Sequence, residues 1–287
     1  MHVPVMLAEC LEYLAIRPDG IYLDATAGLG GHAGAIAQRL ESGFVIANDR
    51  DAESLEQARR NTAEWADRIR FHHGSFGDLA LALKAAGVER VNGLLADLGV
   101  SRYQLLEAER GFSLMAEGPL DMRMDRSQPR TADDIVNLTS EKELADLIYQ
   151  LGEERRSRRI SRAIVRARPI HSTQRLSSVI EAAVPRTSKL HPATQTFMAL
   201  RMAVNDEPDQ LDRLLNIAPD LVQSGGRMVV LTFMSLEDRK VKQSFQALAR
   251  AGRVKILTKH VLKPTPEEVR RNPPSRSAKL RAVEMTI

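Results

Sequence analysis

Asp24-Ala25-Thr26-Ala27-Gly28-Leu29-Gly30-Gly31-His32 is the stretch whose reading decides the fold. It follows a short apolar run, Ile21-Tyr22-Leu23, and precedes Ala33, Ile36, Ala37 and Leu40, which recur at i, i+3, i+4 and i+7. The first pattern predicts a buried strand and the second an amphipathic helix. Between them, glycines let the backbone approach a ligand closely, and the N–H groups of the helix start face it. A strand, a glycine-rich turn and a helix in that order make a nucleotide-cofactor turn.

Outward from that turn the same unit repeats. Residues 44–48 read as a buried strand ending at Asp49, and a helix from Asp51 to about residue 64 places Leu55, Ala58 and Trp65 inward. Residues 70–73 form a third strand, and the helix after it, from Phe76 to Ala86, carries Leu79, Leu83 and Ala86 on one side. Residues 91–97 end a fourth strand at an acid. Four strand–helix alternations predict an α/β fold with a doubly wound parallel sheet.

The alternation then stops. Residues 103–124 read as irregular and rich in charge and methionine. Ser140-Glu141-Lys142-Glu143 is a capping box before a helix that stops at Gly152. Helical spacing recurs over 153–168, 173–184 and 193–204. Pro208 starts another helix, Ser224-Gly225-Gly226 turns the chain, and 227–233 is a fifth strand. A helix capped at 235–238 follows. Residues 254–258 and 282–287 read as late strands separated by a proline-rich basic loop at 263–279. The expected organisation is one α/β domain, 1–102 with 206–287, and an inserted helical domain, 103–205, that recognises the substrate.

Composition bounds what such a chain does. Its 287 residues, 43% of them hydrophobic, suffice for a sizeable core. No apolar run reaches membrane-span length, and the N-terminus lacks a charged-then-apolar export pattern. Cys10 is the sole cysteine, which excludes intramolecular disulfides and cysteine-based zinc sites. The expectation is a cytoplasmic protein with no membrane partner and no metal. Net charge is +4, unevenly placed: residues 153–190 hold ten Lys/Arg against three Glu, and residues 263–281 hold six against two. A basic segment and a basic tail on an acidic body point to a localised polyanion contact or, more blandly, to a solvated arginine face.

Gly28-x-Gly30-x-x-Ala33 satisfies G-x-G-x-x-G/A, a pattern open to NAD and to S-adenosylmethionine alike. Three features favour the methyl donor. Asp24 ends strand one, placed to accept hydrogen bonds from the turn or from a cofactor ammonium. Asp49 ends strand two at a position suited to a ribose diol. Asp97 ends strand four at the cleft edge where a methyl donor meets its acceptor. No Tyr/Lys or His/Asp pair for hydride transfer stands out. Each residue also has a plain reading: Asp24 capping the turn, Asp49 capping the next helix, His32 on the surface of a first turn.

These residues carry a resemblance. The chain is collinear with the ribosomal RNA small subunit methyltransferase H family through His2-Val3-Pro4-Val5-Met6-Leu7, the glycine turn, Asp49-Arg50-Asp51 and Asp97-Leu98-Gly99-Val100-Ser101. It continues through Glu109-Arg110-Gly111-Phe112-Ser113, Gly118-Pro119-Leu120-Asp121-Met122-Arg123-Met124, Gly152-Glu153-Glu154-Arg155, His191-Pro192-Ala193-Thr194, Ser235-Leu236-Glu237-Asp238-Arg239 and the tail 275–281. The resemblance implies a class I methyltransferase fold, Rossmann-like, with an inserted all-helical domain. It implies methyl transfer from S-adenosylmethionine to N4 of a decoding-centre cytosine in 16S rRNA, within the small ribosomal subunit. Cofactor contacts carry over to Gly30, Gly31, His32, Asp49, Phe76, Asp97 and Gln104. The chain departs from the family pattern at Leu29, Arg102, Tyr103, Gln195, Met198 and Met234.

Cytosine N4 is a poor nucleophile, and an acceptor for its proton aids transfer. Asp97 is placed for that role and Asp121 is a second candidate. Tyr103 is either a stacking platform for a flipped base or an ordinary half-buried tyrosine. Arg155, Arg156, Arg158, Arg159, Arg162 and Arg166 suit phosphates and are expected to face RNA. Asn272-Pro273-Pro274-Ser275 resembles the amino-group clamp of DNA methyltransferases but lacks its aromatic residue and preceding strand; it is expected to be an RNA-facing loop. No DNA partner is expected, and a homodimer is compatible with all of this. The alternatives are a non-catalytic RNA-binding assembly factor of the same fold and, further off, an NAD(P)-dependent oxidoreductase.

Overall fold

The computed structural model describes residues 4–186 and 190–287. His2, Val3 and the side chain of Arg102 lie outside the described residues. The chain forms two compact units, residues 1–99 with 208–287 and residues 100–207.

The first unit opens with α1 (Leu7–Leu14), β1 (Ile21–Asp24), α2 (Gly31–Ala37), β2 (Phe44–Asp49), α3 (Ala52–Asn61), β3 (Ile69–His73), α4 (Leu79–Ala85) and β4 (Val91–Asp97). The second contains α5 (Arg102–Leu106), α6 (Ala132–Leu138), α7 (Glu141–Gly152), α8 (Ser157–Ala167), α9 (Thr173–Ala183) and α10 (Thr194–Val204). The first resumes with α11 (Glu207–Leu221), β5 (Val222–Thr232), α12 (Ser235–Arg250), β6 (Val254–Ile256), α13 (Pro266–Arg271) and β7 (Lys279–Met285). No helix among the described residues is long and apolar enough to cross a membrane.

The strands build one sheet in the order β3-β2-β1-β4-β5-β7-β6. Side chains alternate across it, as the two-residue period of a strand requires. Leu23, Ile46, Leu94 and Val230 join Leu79, Leu214 and Phe245 from α4, α11 and α12 on one face. Tyr22, Val45, Leu95 and Val229 join Leu11, Leu14 and Ile36 from α1 and α2 on the other. Helices thus cover both faces, which is why the central strands read as continuous apolar runs. The strand order reverses between β1 and β4, so the chain leaves their carboxyl ends in opposite directions and opens a crevice there.

Four sequence expectations change. The sheet is not wholly parallel, because β7 runs antiparallel to β5 and to β6. The expected turn at 224–226 is a bulge: Val91 pairs with Val222 but Gly93 with Arg227, so the extra residues loop out, with Gly225 at φ 73°. The basic loop at 263–279 contains α13, whose N-cap Thr265 accepts the Glu268 N–H, and a 3-10 turn, Pro273–Ser277. Asn272 and Ser275 are buried there, while Pro273, Pro274 and Arg276 of the same stretch are exposed. Likewise 103–124 is not irregular throughout, since α5 and a 3-10 turn, Ala108–Arg110, lie within it.

The second unit has its own core. Leu144 and Ile148 of α7, Ile160 and Ile164 of α8, Leu176 and Ile180 of α9, and Phe197 and Leu200 of α10 are buried together. Its long acidic–basic loop is clamped from inside. The buried Arg110 donates to the carbonyls of Arg123 and Met124, both at 3.0 Å.

Candidate active site

The glycine turn is tied to both neighbouring strands before any ligand is considered. The Ala25 N–H donates to Leu95 O of β4 at 2.8 Å, and the Ala27 N–H to Asn48 O of β2 at 2.8 Å. Thr26 Oγ1 accepts the Asp97 N–H at 2.7 Å. Gly28 and Gly30 adopt φ 52° and 84°, the left-handed region that glycine enters without strain. Gly30 is the N-cap of α2.

Asn48, which sequence reasoning passed over, holds three segments at once. Its amide donates to Ala25 O at 3.1 Å and Gly74 O at 3.0 Å, and its Oδ1 meets His72 Nδ1 at 2.9 Å. The available signal was a polar residue inside the apolar run of β2, next to the expected ribose contact.

Carboxylates from successive strand ends gather here. Asp24 is fully buried; one oxygen accepts the Thr26 N–H at 3.2 Å. Burial pushes its pKa up to about 7, with Asp49 adding to the rise and the Thr26 N–H opposing it. Asp49 accepts the Gly28 N–H at 2.7 Å and the Asp51 N–H at 2.9 Å. Burial raises it to about 6 against those two hydrogen bonds. Asp49 is not the helix cap, because Asp51 caps α3 by accepting the N–H groups of Glu53 and Ser54. It is the strand-end acid that fastens the glycine turn to β2.

Asp97 is the most perturbed of the three. Burial first, then the charges of Asp24 and Glu237, push its pKa up to about 8. Its side chain keeps 23% of its surface accessible, so it sits in a recess and not in the core. His32 is buried, contrary to the plain surface reading, with Nδ1 3.8 Å from Asp97 Oδ2. Asp97 Oδ1 and Asp24 Oδ2 are buried and make no hydrogen bond of ordinary geometry among the described residues, although the Ala33 N–H lies close enough to Asp24 to oppose the rise in its pKa. Buried carboxylate oxygens without such bonds are costly. A cluster of them is complementary to a ligand bearing positive charge, and S-adenosylmethionine bears two such groups, an ammonium and a sulfonium. The residues present fit that group.

Phe76 opens a 3-10 turn, Phe76–Asp78, whose N-cap is Ser75, and packs half-buried against the core beside α4. Gly31 lies under Pro4, and a Cβ at that position would come within 2.5 Å of Pro4 Cγ.

The remaining candidates belong to the second unit. Gln104 is buried and closes a capping box on α5, its Oε1 accepting the Ser101 N–H at 2.9 Å. Tyr103 is half-buried on the same helix. Asp121 is gripped by Arg123, with Nε at 2.7 Å from Oδ1 and Nη2 at 2.8 Å from Oδ2. Burial raises its pKa, but the Arg123 hydrogen bonds outweigh that and leave it below the ordinary carboxylate value. So held, Asp121 is a weaker base than an ordinary carboxylate and ties Arg123 into the loop.

The arginines divide. Arg155, Arg158, Arg159, Arg162 and Arg166 are exposed, and their spacing places them on one stripe along α8 and its entry. Of these, Arg162 pairs with Glu141 at 3.4 Å. Arg156 is turned to local structure, donating to Pro185 O at 2.9 Å and to Glu154 Oε1 at 3.2 Å. Gln195 donates to Glu153 O at 3.3 Å, and Met198 is half-buried on α10. At Met234, the backbone N–H meets Glu237 Oε2 at 3.1 Å.

Comparison with known proteins gives the same picture over the full length. The chain is 68% identical to the ribosomal RNA small subunit methyltransferase H of Solibacter usitatus (strain Ellin6076), over 99% of this chain and 100% of that protein. It is 50% identical to the protein of the same name from Koribacter versatilis (strain Ellin345), over 98% and 93%. The crystal structure of an rRNA methylase from Streptococcus thermophilus shares the fold, with a TM-score of 0.50 at 10% identity and 100% coverage of both chains. The model of the MraW methylase family matches residues 1–286, and with relatives this similar the chain belongs to that family.

Proposed function

We propose that this methylase transfers a methyl group from S-adenosylmethionine to the N4 amine of a cytosine in the decoding centre of 16S rRNA, acting on the small ribosomal subunit in the cytoplasm. The observation that carries the reading is the carboxylate cluster at the ends of β1, β2 and β4. The oxygens on Asp24 and Asp97 that lack an ordinary hydrogen bond lie at the reversal of strand order.

When bound, S-adenosylmethionine supplies a methyl already activated on a positively charged sulfur, which keeps the bonding electron pair as the methyl leaves. Gly30, Gly31, His32, Asp49, Phe76 and Asp97 of the first unit are the residues assigned to hold it. Asp49 serves a ribose diol and Phe76 an adenine face. The protein's share of the catalysis is alignment and charge. The acceptor nitrogen becomes positive as it gains the methyl and sheds one proton, and Asp97 takes it. A carboxylate raised toward neutrality suits that task better than an ordinary one. The exposed stripe Arg155, Arg158, Arg159, Arg162 and Arg166 meets RNA phosphates.

Small subunits from a strain lacking the enzyme, incubated with tritiated S-adenosylmethionine, test this. Label confined to 16S rRNA and recovered as N4-methylcytidine is the expected result. Cofactor binding with no label transferred would leave an RNA-binding assembly factor instead.

A further inference from the structure

Gln210, in the first turn of α11, reaches back 135 positions to the loop that follows β3. Ser75 uses its hydroxyl twice there. Its Oγ accepts the Gly77 N–H at 3.1 Å and donates its one hydrogen to Gln210 Oε1. Gly77 is buried against the same side chain, and a Cβ at that position would collide with Gln210 Oε1 and crowd Arg213 Cβ at 3.3 Å. One glutamine thus pins the residues on both sides of Phe76. Its helix is itself fixed, since Leu211, Leu214 and Leu215 are buried with Leu79 and Leu83 of α4. The near end of the loop is held from β2. The Asn48 amide donates to Gly74 O at 3.0 Å, and the Gly74 N–H donates to Asp49 O at 2.9 Å. Two ties, one at the end of β2 and one at Gln210, set the separation between a strand-end acid and an aromatic ring.

We propose that Gln210 is the positioning residue of the adenine subsite: it holds the 74–77 loop so that Phe76 meets the adenine face while Asp49 meets the ribose. The proposal rests on the methyl-donor reading and deepens it. A ring carried on a short loop is an effective platform only when its backbone is already fixed, because otherwise each binding event must order it. Ser75 caps the 3-10 turn from within and has no second hydrogen to donate. The tie from that hydroxyl to the rest of the fold therefore depends on an acceptor at position 210. A glutamate there keeps the acceptor; a methionine keeps the length and removes it. Gln210 acts on the ligand through Phe76, so its effect disappears once that ring is gone.

Calorimetric titration of the full chain with S-adenosylhomocysteine, and separately with adenosine, tests this. Gln210→Met is expected to weaken both ligands by the same factor, about 5-fold, and Gln210→Glu to restore wild-type affinity. In a Phe76→Ala background, with S-adenosylhomocysteine as the probe, the Gln210→Met loss is expected to vanish. Three results overturn the proposal: unchanged affinity in Gln210→Met, a loss that Gln210→Glu does not restore, and a loss that persists in full without Phe76. Should Gln210→Met not fold, Ser75→Ala removes the same hydrogen bond and carries the same expectations, about 5-fold for both ligands and none in the Phe76→Ala background. A wild-type protein that bound neither ligand would overturn the methyl-donor reading and this proposal with it. Wild-type binding with an indifferent Gln210→Met overturns this proposal alone.

Discussion

At Asp97 the backbone delivers a carboxylate to a place where ionisation is costly. The folded chain holds that proton up to about pH 8 and holds the Asp24 proton up to about 7, whereas an unfolded aspartate releases its proton near pH 4. The folded state therefore binds more protons between those limits, and stability falls as pH rises through that window. The cofactor-free protein should lose Tm steadily from about pH 5 to about pH 8.5 in thermal scans. Asp97→Asn should flatten the decline and raise Tm by about 2–4 °C at the alkaline end. A steeper decline in the variant would contradict the assigned burial. Cofactor binding follows the opposite sign: a cationic ligand favours the ionised acids, so S-adenosylmethionine affinity by calorimetry should rise across the same window. Asp24, Asp49 and Asp97 were legible in the sequence because each punctuates an apolar run. Asn48, Thr26 and Gln210 were not, because their partners are set by sheet register and by a helix that returns to the sheet far along the chain.

Among the elements, α2 and α8 make separable predictions. Gly31 opens α2 directly beneath Pro4, and an added Cβ meets Pro4 Cγ at 2.5 Å. Gly31→Ala should push the segment carrying Pro4 away and weaken S-adenosylmethionine binding about 10-fold in equilibrium titration, within the usual 1–3 kcal/mol cost of overpacking. Affinity equal to wild type would show that this segment is not part of the cofactor site. Along α8, each arginine that meets a phosphate releases counterions. Replacing Arg158, Arg159 and Arg166 with Ala should lower the salt slope of small-subunit binding by about 2–3. Arg168, by contrast, donates to the carbonyls of Val136 and Thr139. Arg168→Ala should cost about 1–3 kcal/mol of stability and leave that slope unchanged. The amphipathic pattern of α8 was plain in sequence, but which arginines turn inward to carbonyls was not, since periodicity sorts apolar from polar and says nothing about partners. The short helices α5 and α13 escaped notice because five or six residues carry too little periodicity to register.

Taken as a molecule, the chain interrupts an α/β sheet unit after β4 with a helical unit that has its own core. The interruption was visible as the loss of strand–helix alternation near residue 100. The antiparallel β7 was hidden, because strand periodicity carries no direction; pairing with β5 and β6 decides it. Placing the order reversal between β1 and β4 brings Asp24 and Asp97 to adjacent strand ends, with Asp24 paired in register to Leu95. In the proposed function that arrangement makes the glycine turn the seat of a positively charged methyl donor. The most direct measurement is single-turnover methyl transfer to small subunits lacking the modification, at saturating S-adenosylmethionine, with the product nucleoside mapped by mass spectrometry. Wild-type protein should place one methyl on N4 of a single 16S rRNA cytosine, and Asp97→Asn, with its cofactor site filled, should slow that step by about 10²–10⁴-fold. Full-rate transfer by Asp97→Asn, or a methyl found on another atom, would contradict it.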